Sequence, residues 1–95
     1  MTLLEEITIR YRHEIYDAHY LYLMLNYAKR NKMFSKEGQS SLAVKYYEHN
    51  YCASILKPML EKHLDDDHIH KIIEEASAEA YANYKKLVRE RRNEK

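Results

Sequence analysis

Between Thr2 and Asn31, the apolar residues Leu4, Ile7, Tyr11, Ala18, Leu21, Leu25 and Ala28 recur at alternating spacings of three and four. Only Glu14 breaks the series with a charge. Such spacing turns one face of an α-helix toward a core. Tyr16, Tyr20, Met24 and Tyr27 repeat at similar spacing along another side. From Tyr20 to Leu25 the segment is apolar almost all the way round, so this helix needs cover on more than one side. Thr2 and Glu5 have the spacing of a capping box at its start. Lys29, Arg30 and Lys32 suit the negative end of its dipole.

A second series runs through Leu42, Tyr46, His49, Ala53, Leu56, Leu60 and His63, and a third through Ile69, Ile73, Ala76, Ala80, Tyr84 and Leu87. Residues Asn31 to Ser41 read as the connection before the second helix. Met33 and Phe34 are expected to plug the end of the bundle there, and Ser35, Ser40 or Ser41 to cap the second helix. Pro58 lies inside the second series and predicts a kink or break near Lys57. Asp65, Asp66 and Asp67 read as the start of the third helix, where carboxylates cap free amides. The fold class is therefore all-α. Residues 1–95 form a single domain, a small antiparallel bundle of three main helices with the second kinked or split at Pro58. A four-element bundle is the alternative.

Composition narrows the classes further. One glycine and one proline leave little material for hairpin-rich β architecture. Sixteen basic residues against fifteen acidic give a net charge of +1, so no global field points to nucleic acid or to an anionic membrane. The longest apolar run, Tyr20 to Leu25, is far too short to span a membrane. Glu5, Glu6 and Arg10 interrupt the N-terminal apolar residues, against a signal peptide. The lone Cys52 cannot form an internal disulfide and fits a reducing, cytoplasmic setting.

Glu14, His49 and His63 are polar residues at positions the stripes assign to the core. In this one respect the chain superficially resembles ferritin-like carboxylate proteins, and the resemblance implies a metal held between helices. The Glu-x-x-His pair of those proteins is absent, since Tyr51 follows Glu48 and Leu64 follows Glu61 at that spacing. Antiparallel pairing about an Asn31–Ser41 connection would put Glu14 level with about Pro58, with His49 roughly 13 Å away along the axis. Glu14 and His49 are then expected as satisfied buried polar groups. His13 and Asp17 echo a zinc-protease helix without its second histidine. The densest set of metal-ligand types is His63, Asp67 and His70, which suits zinc or another divalent transition metal. The competing reading is a helix-capping Asp cluster with solvated histidines; no cofactor is otherwise implied. His49 and Cys52 lack the third group and oxyanion site of a nucleophilic pair, and no glycine-rich phosphate loop exists.

Ten tyrosines against one phenylalanine and no tryptophan are the most unusual feature. Tyrosine joins a large apolar ring to a polar tip and suits interfaces. If a three-helix bundle offers helix one a single inner face, then Tyr16, Tyr20, Met24 and Tyr27 fall outside it. They become the expected contact of a homodimer. The expected function is thus a non-enzymatic, self-associating protein-interaction module. One alternative is a small His/carboxylate metal-binding bundle. The other is a nucleic-acid-binding or regulatory protein using Lys85, Lys86, Arg89, Arg91 and Arg92 of the basic C-terminal helix.

Overall fold

The computed structural model describes residues 1–93, which form three helices: α1 (Leu3–Arg30), α2 (Lys36–Glu61) and α3 (Asp66–Asn93). Each starts at a side-chain cap. The Thr2 hydroxyl accepts from the Glu5 amide at 3.1 Å and donates to the Glu5 carboxylate at 3.1 Å. Ser35 accepts from the Gly38 amide at 3.1 Å, and Asp65 from the His68 amide at 2.8 Å. Of the three serines that could have capped α2, the earliest does so. The first connection is accordingly shorter than the sequence suggests.

That connection closes tightly. Asn31 ends α1, Lys32 comes next with a left-handed φ of 51°, and the Met33 amide bonds back to the Ala28 carbonyl at 2.9 Å. This six-to-one closure is the Schellman arrangement, in which glycine usually occupies the left-handed position. A Cβ there costs roughly 1–2 kcal/mol. Lys32→Gly is therefore expected to stabilise the protein by about 1 kcal/mol, because relief of strain exceeds the entropy glycine adds to the unfolded chain. Urea denaturation would measure it, and an unchanged midpoint would refute the strain. Phe34 is also left-handed, at φ 65°, and remains 51% exposed. It does not plug the bundle as its hydrophobicity suggested. Met33 turns inward instead, its carbonyl accepting from the Gln39 amide group at 3.1 Å.

Pro58 lies within α2, which runs through it to Glu61, so three helices form where a split would have made four. The missing proline amide would have bonded the Ser54 carbonyl. Ser54 and Pro58 are both exposed, where water can take up that carbonyl.

Helix α1 is the centre of the assembly. α2 runs antiparallel to it and α3 parallel to it; each packs on its own side of α1, while α2 and α3 barely touch each other. The aliphatic core gathers at one pole, where Tyr11 meets Ala53, Leu60, Ile69 and Ile72. Leu4, Ile7, Ile15, Leu56, Leu64 and Ile73 pack around it. Ala76 and Ala80, both fully buried, let α3 lie close along α1. The other pole is held by tyrosines: Tyr22 meets Tyr46 edge-on with ring centres 5.6 Å apart, and Tyr27 meets Tyr84 likewise at 6.2 Å.

Candidate functional site

Glu14 is 5% exposed, at the place in the α1 stripe where the sequence breaks its apolar pattern. Its carboxylate accepts from Arg10 Nε at 2.9 Å and pairs with His49 Nδ1 at 2.6 Å. Asp17 Oδ2 lies 4.0 Å from the same imidazole nitrogen. Burial pushes the Glu14 carboxyl up, but the bonds and charges of His49 and Arg10 outweigh it and hold the group below its ordinary value. The expectation that His49 lies far from Glu14 along the axis is corrected here. With α2 starting at Lys36, equal counts back from Arg30 and forward from Lys36 put Glu14 level with Cys52. His49 is then about one helical turn away, within side-chain reach.

The second side of α1 is covered within the monomer. Asn83 of α3 donates to the Tyr16 hydroxyl at 2.8 Å, and Tyr27 packs on Tyr84. Tyr16 and Tyr20 stack with centres 6.0 Å apart, and desolvation, helped by neighbouring Tyr16, raises the Tyr20 hydroxyl's pKa. All four of Tyr16, Tyr20, Met24 and Tyr27 are half-buried. The assumption that α1 has one inner face fails because α2 and α3 flank it on two.

The apolar surface left open lies elsewhere, on α2. Val44 is 55% exposed, Tyr47 70%, Tyr51 68% and Ile55 49%. At 100° per residue these four and Pro58 fall within an arc of about 80°, making a seam about 21 Å long. Periodicity alone hid this seam. The same helix carries a second apolar series at the same period, and both are visible in the sequence. Only packing decides which one is inside.

His63 lies in the turn after α2, and Asp67 and His70 lie in the first turns of α3, all three exposed. His70 Nε2 pairs with Glu74 at 2.9 Å. Among the described residues, no group of three or more His, Cys, Asp or Glu side chains converges as a metal site would require. With His70 engaged by Glu74 and Asp65 acting as a cap, added zinc is expected to leave the melting curve unchanged. A rise lost in both His63→Ala and His70→Ala would instead assign a site there.

Lys85, Lys86, Arg89 and Arg92 are exposed along the end of α3, and Arg91 is half-buried. Lys85 Nζ sits 5.3 Å from the centre of the Tyr81 ring. Because α3 is parallel to α1, these residues reach the same pole as Lys29, Arg30 and Lys32. The acidic residues Asp65, Asp66, Asp67, Glu74 and Glu75 occupy the other end of α3. A net charge of +1 thus conceals a molecule polarised from end to end. Among the described residues, no helix is long and apolar enough to cross a membrane. The chain matches no protein-family model, no curated protein and no solved structure.

Proposed function

We propose that the chain is a non-enzymatic, self-associating helical module, and that two copies meet through the outer face of α2. One observation carries this reading: the exposed seam of Val44, Tyr47, Tyr51 and Ile55 on a helix whose other side already packs on α1. A contiguous apolar patch of this kind on a soluble domain marks a contact surface. The seam is self-complementary about a two-fold axis at Tyr51. An antiparallel copy sets Tyr47 opposite Ile55 and Val44 near Pro58, as an isologous dimer requires. At the ends, Glu37 of one copy falls within about one helical turn of the level of Lys62 of the other, so opposite charges meet. A bend at Pro58 would let the seam follow its partner. A seam confined to one helix is expected to give a weak contact, with dissociation falling in the micromolar range. Sedimentation equilibrium across micromolar concentrations tests it. A single 11.5 kDa species at every concentration would refute it.

A further inference from the structure

At the basic pole, a cleft of about 870 Å³ is lined by the ends of α1 and α3. Arg30, Arg91 and Arg92 reach into its walls, and Tyr27, Met33, Tyr84 and Val88 supply the apolar remainder. The guanidinium groups have weak internal partners. Arg30 donates to the Tyr84 hydroxyl at a long 3.4 Å, and Arg91 to the Met33 thioether at 3.3 Å. Among the described residues, no carboxylate lies within 4 Å of any of the three, whereas Arg10 and Arg12 both have one. A thioether is a poor acceptor for a group built to bind oxyanions in pairs. A second hollow, sharing Tyr84 and Arg92, extends the surface to Lys85 and Arg89. The helix ends of α1 and α3 contribute only about half a negative charge each. The basic side chains gathered there exceed that several-fold.

We propose that this cleft and the strip beside it bind single-stranded nucleic acid, phosphates on the arginines and a base against the open part of the half-buried Tyr27 ring. Three features favour that ligand over a plain anion. The cleft is far larger than one phosphate, its apolar wall includes the half-buried Tyr27 ring, and the basic strip continues beyond it as a backbone track would. Arginine's planar fork matches phosphate oxygens bidentately. A duplex would offer no unstacked base to the cleft. The site uses none of the residues of the α2 seam, so the dimer and this activity stand or fall separately.

The test is fluorescence anisotropy of a labelled oligothymidylate with the full chain over a salt series. Affinity is expected to fall with log salt at a slope of about −2 to −3, the value for three to four phosphates on a single strand. Arg30→Ala combined with Arg91→Ala is expected to weaken binding at least ~10-fold. Arg92→Glu, at an exposed position, should do the same without risk to folding. Lys57→Ala with Lys71→Ala, at the opposite pole, should change it less than ~2-fold. No binding at low salt would overturn the proposal. So would unaltered binding by the arginine variants, equal affinity for a duplex, or charge-for-charge competition by inorganic polyphosphate.

Discussion

Tyr51→Glu is expected to abolish self-association while leaving the monomer folded. Tyr51 is 68% exposed, so the monomer loses no core contact when the ring is removed. In the proposed dimer it would lie on the two-fold axis, where each substitution acts twice. Removing a hot-spot tyrosine from an interface costs about 2 kcal/mol or more, and loss of the symmetric pair at the axis is expected to cost up to about 4 kcal/mol. That weakens a micromolar dimer about 1000-fold, beyond any practicable concentration. The two new carboxylates would also face each other across the axis and add repulsion. Tyr20→Glu makes the informative contrast. Tyr20 is half-buried and stacked on Tyr16 inside the monomer, so its replacement should lower the melting temperature more than it alters assembly. If instead Tyr20→Glu dissociated the dimer and Tyr51→Glu did not, the contact would lie on α1.

Local periodicity and capping are legible in this sequence. Tyr11, Ala18, Leu25 and Ala28 of α1, and Ile69, Ala76, Ala80 and Tyr84 of α3, are buried where their three-four spacing puts them. Thr2 and Asp65 cap the helices they were expected to start. Features that depend on how helices meet are not legible. The first connection ends at Ser35 and not at Ser41, and that shift along α2 brings His49 onto Glu14. Which of two apolar stripes on α2 is buried depends on α1, and the cover over Tyr16 and Tyr27 depends on α3 lying beside α1 with little contact to α2. The same side-by-side arrangement joins the basic ends of α1 and α3. Linear charge counting could not find that pole, because Arg30 and Arg91 are sixty-one residues apart in the chain.

Glu14→Gln is expected to lower stability at neutral pH by about 2 kcal/mol, the scale of hydrogen bonds to a charged group. That corresponds to roughly 10 °C in melting temperature for a domain of this size. The loss stays below the roughly 3–5 kcal/mol of a broken, fully buried pair, because the Arg10 side chain is 65% exposed and that of His49 31%, and water can reach both. The pH dependence has a definite sign. The net effect of its surroundings is to depress the Glu14 carboxyl's folded pKa. Its contribution is therefore fully present above the unfolded value, near about 4.3, and is lost as pH falls through the folded value. Glutamine cannot ionise. The gap between wild type and Glu14→Gln should accordingly be widest at neutral pH and close as the solution is acidified below about 4. Arg10, Asp17 and His49 are the other ionisable groups at the site. Arg10→Ala should matter less, since its own side chain is 65% exposed and His49 still pairs with the carboxylate. Glu14→Leu separates stability from specificity. An apolar side chain of similar volume removes the buried charge, and such replacements are often neutral or stabilising. A Glu14→Leu protein that melts higher, yet loses the fixed pairing of α1 with α2 in its near-ultraviolet spectrum, would mark Glu14 and His49 as the pair that sets the helix register. A gap between wild type and Glu14→Gln that does not close on acidification would refute the charged pair's contribution, and an unchanged near-ultraviolet spectrum in Glu14→Leu would rule the register role out.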